Sequence, residues 1–119
     1  MADIDTRALD RELKKGSAEL LILSLLDARA RHGYELSKLI HTRSGGQLTF
    51  HIDSLYPLLY RLEERGWIES EWRLSDTNRR TKVYRLTPVG RAQLKAETAA
   101  WTQFVEAMGK ILRATSQPA

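Results

Sequence analysis

The 119-residue sequence predicts a mainly α-helical protein with one small β-hairpin, which places it in the α+β fold class. Changes in the spacing of apolar residues support this prediction. Up to about residue 65 the apolar residues recur every three or four positions, as on a helix. From residue 68 to 86 apolar and polar residues alternate, as on a strand, and the helical spacing then returns. The apolar content of 42% suffices for one core, so we expect one domain with appended helices.

The N-terminal region predicts two consecutive helices. A short helix is expected over residues 5–14, and Gly16 should end it as a C-terminal glycine usually does. Ser17 should then cap a second helix over residues 18–28, where leucine and isoleucine occupy nearly all sides. Such a pattern indicates a central helix buried on most of its circumference.

The next segment predicts a half-exposed helix and a short strand. Residues 34–42 place Leu36, Leu39 and Ile40 on one helical face. The pair Gly45 and Gly46 should break the chain, and the alternation in residues 47–50 favours a short strand.

A third helix is predicted to begin near Asp53 or Ser54 and to end at Gly66. Its core stripe consists of leucines at i, i+3, i+4 and i+7, namely Leu55, Leu58, Leu59 and Leu62. Pro57 is expected in the first turn, where a missing N–H has no intrahelical partner.

A hairpin is predicted over residues 68–86. Ile68, Trp72 and Leu74 should point inward from its first strand, and Tyr84 and Leu86 from its second, with turn residues SDTN between the strands. Its tip is basic: only one acid accompanies six of the chain's 19 basic residues between positions 73 and 91.

The last helix is predicted from Pro88, with Thr87 as its N-cap, to about Arg113. It would extend about 39 Å, as long as the rest of the domain or longer. Part of its apolar stripe should therefore contact another molecule. The apolar stripe comprises Leu94, Trp101, Phe104, Val105, Met108, Ile111 and Leu112.

The predicted order of helix, helix, short strand, helix and hairpin is that of a winged helix-turn-helix, in which the third helix enters the DNA major groove. The sequence resembles the PadR-type transcriptional regulators in three segments, residues 19–40, 54–69 and 78–94. This resemblance implies a bacterial, dimeric regulator, usually a repressor, that effectors release from its operator. The single C-terminal helix is similar to that of the family's short branch, which dimerises through this helix and the N-terminal one. This similarity implies a homodimer whose interface includes Leu9 and Leu13 of the N-terminal helix and the apolar stripe from Leu94 to Leu112.

The resemblance divides the chain into an N-terminal dimer-contact helix (1–15), a winged helix-turn-helix domain (16–87) and a C-terminal dimerisation helix (88–119). It implies that HGYE starts the second helix facing the DNA backbone, SLYP leads the recognition helix, and NRRTK forms the wing. The residues expected to bind DNA are Tyr34, Lys38, Ser54, Tyr56, Pro57, Tyr60, Arg61, Arg79, Arg80 and Lys82.

Other functional classes find little support in the sequence. Cysteine is absent, the three histidines lack the spacing of metal ligands, and the adjacent Glu63 and Glu64 point about 100° apart on a helix. We therefore expect no enzyme activity, no metal and no cofactor. The N-terminus does not have the pattern of a secretory signal, and no apolar run is long enough for a membrane span, so we expect a cytoplasmic, nucleoid-associated protein without a membrane partner.

Two questions stay open at the level of sequence. The alternative function is a winged-helix protein-interaction module without specific DNA binding, which the basic tip argues against. For Trp101 and Val105, the simpler interpretation is dimer core. The other is that paired Trp101 side chains flank a space for a flat aromatic or cationic effector, as in multidrug-sensing members of the short branch.

Overall fold

The computed structural model describes residues 6–116, and side chains from Ser17 to Arg113. Its described part contains four helices and a three-stranded antiparallel sheet, which confirms the predicted α+β fold class. In chain order the elements are α1 (Thr6–Ala28), β1 (Arg31–His32), α2 (Gly33–Arg43), α3 (Ile52–Glu64), β2 (Ile68–Leu74), β3 (Arg80–Leu86) and α4 (Pro88–Ser116).

Helix α1 runs without interruption through Gly16, so the predicted helix break at this glycine is wrong. A glycine inside a helix costs only about 1 kcal/mol relative to alanine, and the helix-forming residues on both sides outweigh this cost. The predicted burial of the following segment is confirmed, because Ala18, Ile22, Leu23 and Leu26 are at most 2% exposed.

Helices α2 and α3 lie close to their predicted bounds, and each ends at a glycine with positive φ. After α3, the N–H of Gly66 donates to the Glu63 carbonyl and that of Trp67 to the Leu62 carbonyl. This pair of hydrogen bonds is the Schellman motif, which needs a left-handed residue that glycine provides without steric cost. It turns the chain directly from α3 into the hairpin.

The segment predicted as a short strand, residues 47–50, is irregular, so that prediction is wrong. The Phe50 side chain is buried, and its carbonyl accepts a hydrogen bond from the Ser37 hydroxyl at 2.5 Å. The first strand is instead β1, where Arg31 pairs with Tyr84 and His32 with Val83. A strand needs a neighbour, and β3 meets the chain at residues 31–32 rather than at residues 47–50.

The sheet has the order β1–β3–β2, and β2 and β3 form the predicted hairpin. Ile68 lies opposite Leu86 at the buried end of the hairpin, and Leu74 lies opposite Arg80 near its tip. The core lies between α1, α2, α3 and the inner end of this hairpin.

Helix α4 begins at Pro88 with the predicted cap, since the Thr87 hydroxyl accepts a hydrogen bond from the Gly90 N–H at 3.0 Å. Leu94 is buried against the core, but the large apolar residues from Trp101 to Leu112 are exposed. The 29-residue helix extends about 43 Å, which makes the molecule elongated at 63 × 31 × 24 Å. Its radius of gyration is 17.2 Å, whereas a compact domain of this length would have about 13.5 Å.

Candidate nucleic-acid interface

Helix α3 has one face that is buried in the core and one face that is exposed. Leu55, Leu59 and Leu62 are fully buried, whereas Tyr56 and Tyr60 are 51% and 65% exposed. The same separation leaves the predicted contact residues Ser54, Pro57 and Arg61 exposed. The buried leucines thus fix the helix to the core while its other side remains available to a ligand.

The start of α3 differs slightly from the prediction. The helix begins at Ile52, with His51 as its N-cap residue, so Pro57 is its sixth residue rather than part of its first turn. A residue at this position would normally donate its N–H to the carbonyl of Asp53, and proline has no N–H. The first turn is therefore formed by residues 52–55, and Tyr56 and Pro57 begin the second.

The N-terminus of α2 packs closely against α3 at Gly33. A Cβ atom at this glycine would lie 3.2 Å from Cδ1 of Ile52 and 3.5 Å from Cε1 of Tyr56. Tyr34, the next residue of α2, therefore lies beside the contact between α2 and α3, and its side chain is 69% exposed. Lys38, one turn further along α2, is also exposed.

The hairpin extends beyond the core, and this corrects one prediction. Ile68, Tyr84 and Leu86 are buried as expected, but Trp72 is 58% exposed and Leu74 is 68% exposed. All five share one face of the hairpin, so the predicted alternation is right. The prediction that Trp72 and Leu74 point into the core is wrong because the strands continue after the core has ended.

Two cations lie over the exposed indole of Trp72. The guanidinium carbon of Arg80 is 5.1 Å from the ring centroid, and Nζ of Lys82 is 5.8 Å from it. Lys82 is also 5.7 Å from the Tyr84 ring centroid and 3.8 Å from a carboxylate oxygen of Glu63. Burial, the negative charge of Glu63 and the proximity of Tyr56 raise the pKa of the Tyr84 phenol, which keeps this ring neutral.

The opposite face of the hairpin carries ion pairs. Arg85 donates to Glu69 at 2.6 Å, and Arg73 pairs with Glu71. In the part of the chain whose side chains are described, Arg79 and Arg80 form no such pair. The positive charge of the hairpin is therefore paired on its outer face, and on its inner face Lys82 is paired with Glu63. The charges of Arg79 and Arg80 at the tip remain uncompensated among the described side chains.

A groove with a volume of about 430 Å³ separates the hairpin from the start of α2 and from α3. It is lined by His32, Gly33, Tyr34, Tyr56, Trp72, Arg80, Thr81, Lys82 and Tyr84. The structure thus brings together four of the predicted DNA-binding residues, namely Tyr34, Tyr56, Arg80 and Lys82. The other six, Lys38, Ser54, Pro57, Tyr60, Arg61 and Arg79, are exposed outside the lining.

The most prominent groove residue that sequence reasoning missed is Trp72. Its alternation with Ile68 suggested a core position, whereas the register of the hairpin indicates an exposed one. Trp72 lies opposite Lys82, and Leu74 opposite Arg80, so both apolar residues have cations as cross-strand neighbours. Pairing with two charged residues at the tip of a hairpin is typical of a solvent-exposed surface.

The predicted dimer residues on α4 form an exposed apolar stripe beyond Leu94. Its members are 42% to 65% exposed and comprise Trp101, Phe104, Val105, Met108, Ile111 and Leu112. Trp101 and Phe104 also line a groove of about 330 Å³ between α1 and α4, together with Glu19 and Glu97, whereas Val105 lies outside this lining. The predicted dimer contacts Leu9 and Leu13 fall outside the side chains that the structure describes.

The fold and this surface define a winged helix-turn-helix protein, in which the hairpin is the wing and α3 takes the place of the recognition helix. The chain belongs to the PadR-like family of transcriptional regulators, whose family model matches residues 22–96. An uncharacterised protein of Lysinibacillus sphaericus is 31% identical over 96 residues, which cover 80% of this chain and 87% of that protein. A transcriptional regulator of Mycobacterium tuberculosis is 39% identical over 71 residues, 60% of this chain and 52% of that regulator.

Solved structures of the family have the same fold. A PadR family regulator from Eggerthella lenta superposes with a TM-score of 0.76 at 31% identity. The superposition covers 90% of this chain and 91% of the Eggerthella lenta chain. A PadR-like regulator from Bacillus cereus gives a TM-score of 0.75 at 27% identity, with coverages of 85% and 96%. The predicted family is therefore confirmed. No helix within residues 6–116 has the length and apolarity that crossing a bilayer requires.

Proposed function

We propose that this protein is a homodimeric repressor that binds a palindromic DNA operator. The observation that carries the proposal is the groove between the wing and α3. In it Arg80, which has no ion-pair partner among the described side chains, adjoins the exposed Tyr56 of the core-anchored α3. Cations supply affinity for phosphates, and polar groups on the leading part of a recognition helix read base edges. Repression follows where the operator overlaps a promoter.

The geometry of a two-fold dimer sets the spacing of the operator. Two α3 helices related by a two-fold axis would enter successive major grooves about 34 Å apart. The half-sites should therefore lie about 10 base pairs apart from centre to centre. Genomic fragments recovered with the purified protein should share an inverted repeat with this spacing, and fragments without one would contradict the proposed dimeric operator.

The test of DNA binding compares two arginines of β3 that lie on opposite faces of the wing. Arg80→Ala should weaken binding to every duplex and reduce the slope of log Kd against log salt by about one. Arg85→Ala is the matched control: it removes the same charge, but Arg85 is paired with Glu69 on the other face. Fluorescence anisotropy with labelled duplexes measures both, and equal losses would contradict the proposed interface.

Base reading is assigned to the leading part of α3. Replacing Ser54 or Tyr56 with alanine should change the preference between operators by about 1–3 kcal/mol, while affinity for random duplex changes little. The competing hypothesis, a protein-interaction module without specific DNA binding, predicts no difference between operator and random duplex. Competition between the two duplexes distinguishes these outcomes.

The exposed stripe of α4 supports dimerisation. Six large apolar side chains along one helix are more than an isolated monomer normally exposes, and a second copy of α4 would bury them. Light scattering should give twice the chain mass. Val105→Glu should shift the protein toward monomer, whereas Thr102→Glu, one turn earlier and off the stripe, should not.

Trp101 supports a second role as an effector contact. It lies 6.0 Å from Phe104 between ring centroids, in a groove that also contains the carboxylates of Glu19 and Glu97. Aromatic rings beside a carboxylate favour a flat cationic ligand, and Glu97 supplies this charge because the Glu19 carboxylate is paired with Arg65. Val105, which lies outside the groove lining, would contact a ligand that extends along the stripe of α4. Planar cationic dyes should quench tryptophan emission at micromolar concentrations in the wild type but not in Trp101→Phe, and no quenching across a dye panel would exclude this role.

A further inference from the structure

Trp72 is a large aromatic side chain on the part of the wing that extends beyond the core. It is 58% exposed although Ile68, four residues earlier on the same face of the strand, is 1% exposed. Its indole therefore contributes little to the core. Exposed tryptophan on a structured hairpin indicates a contact surface rather than a packing role.

The indole also organises the charges beside it. Arg80 and Lys82 flank Trp72 across the strand pair, and both cations lie within 6 Å of the ring centroid. Such cation–π contacts restrict long side chains that would otherwise sample many rotamers. The two cations are thus held on the groove side of the wing, while Arg85 is held on the other side by Glu69.

The remaining walls of the groove suit a sugar–phosphate chain. Tyr34 faces the wing from α2 with a mostly exposed ring, while Tyr56, which is assigned to base reading, borders the groove at α3. Deoxyribose presents an apolar face to aromatic rings, while the phosphates on either side of it require cations. The volume of about 430 Å³ falls in the size range of clefts that hold small-molecule-sized groups.

We propose that this groove binds one sugar–phosphate strand of duplex DNA, with Trp72 packing on a deoxyribose and positioning Arg80 and Lys82 on the adjoining phosphates. This inference rests on the proposed DNA-binding function and assigns a role to a residue outside its predicted contacts. α3 would read bases in the major groove, and the wing would hold the strand that borders it. Trp72 is a positioning residue as well as a contact in this arrangement.

Intrinsic fluorescence tests the contact directly. Adding random-sequence duplex at low salt should quench or shift the emission of the wild-type protein, and the change should be largely absent in Trp72→Phe. Both proteins retain Trp67 and Trp101, so their difference isolates the indole of Trp72. Anisotropy of the labelled duplex, measured in parallel, reports binding independently of tryptophan.

Two substitutions separate the positioning role from a merely apolar one. Trp72→Leu keeps an apolar side chain but removes the π face, and should weaken duplex binding about 3- to 20-fold with a salt slope smaller by about one. Trp72→Phe retains a ring and should stay within about threefold of the wild type. Thermal midpoints should change little in both because the side chain is mostly exposed.

The outcomes distinguish this inference from the proposed function. If the duplex binds but emission is unchanged and Trp72→Leu retains wild-type affinity, the role of Trp72 is wrong and DNA binding stands. If Trp72→Leu and Trp72→Phe lose affinity equally, a phenyl ring does not restore binding. The positioning role of the aromatic face is then also wrong, and DNA binding again stands. If no duplex binds to the wild type at low salt, the proposed function fails first.

Discussion

Gly90 lies so close to Trp67 that a Cβ atom at this glycine would be 1.9 Å from the Trp67 carbonyl oxygen. The same two segments are joined by hydrogen bonds, since Thr87 donates its N–H to the Trp67 carbonyl and its hydroxyl to the Gly66 carbonyl. The start of α4 is therefore packed on the turn that leads from α3 into the wing.

Gly90→Ala should lower the free energy of unfolding by about 2–3 kcal/mol, because backbone atoms cannot move aside as a flexible side chain can. Urea unfolding followed by circular dichroism measures the change. Ala92→Gly, two residues later at an exposed position, is the control and should cost only about 1 kcal/mol through helix propensity. A stabilised Gly90→Ala protein would contradict the close approach.

Local patterns in the sequence predict α2, α3, the hairpin and the Thr87 cap, because each depends on neighbouring residues. Two features depend on distant parts of the chain and could not be found this way. Gly16 can end or continue a helix according to what packs beside it. The two residues of β1 form a strand only because β3 lies next to them.

The candidate site shows the same limit. Alternation places Trp72 on the same face as Ile68, but it carries no information on how far the core extends along that face. The groove forms because α2, α3 and the wing converge there, and the close contact at Gly33 sets how near α2 and α3 lie. Sequence therefore predicts which residues share a face of each element, whereas the exposure of Trp72 and the meeting of these faces in one groove require the tertiary structure.

Glu35 should make stability depend on pH in the acid range. Partial burial alone would raise the pKa of its carboxyl, but hydrogen bonds from Arg31 and Arg29 and their charges lower it below 4.5. A folded-state pKa below the unfolded value contributes stability above about pH 4.5 that is lost as pH falls through the folded pKa.

Glu35→Gln should thus be less stable than the wild type by about 1 kcal/mol at pH 7, and this difference should shrink below pH 4.5. Urea unfolding at several pH values measures it. Glu64→Gln, an exposed carboxylate on α3, is the control. A wild-type advantage that grows toward low pH would reverse the sign and contradict the assigned pairing.

The conformation of Asn78 controls the tip of the wing. Its φ of 63° lies in the left-handed region, and its N–H donates to the Ser75 carbonyl at 2.9 Å. Asn78→Val should cost about 1–2 kcal/mol and weaken duplex binding by displacing Arg79 and Arg80, whereas Asn78→Gly should retain both properties. Thermal unfolding and duplex anisotropy test this, and a Val variant equal to the Gly variant would contradict it.

Pro57 is expected to lower the stability of α3 while serving the proposed interface. As the sixth residue of the helix it leaves the Asp53 carbonyl without its usual donor, and its ring crowds that carbonyl. Pro57→Ala restores the N–H and should raise the free energy of unfolding by about 1–2 kcal/mol, less than the full interior penalty of about 3 kcal/mol because the site is near the helix start. Urea unfolding measures this gain.

The same variant should bind duplex no better than the wild type, because the proline ring is an exposed part of the proposed contact surface. Ser54→Ala, on the same exposed side but with a normal backbone hydrogen-bonding pattern, is the stability control and should change the unfolding free energy by less than about 0.5 kcal/mol. A Pro57→Ala protein that is less stable than the wild type would mean that proline fits α3 without a lost hydrogen bond. In that case the first turn of α3 would have to begin later than Ile52, as the sequence alone suggested.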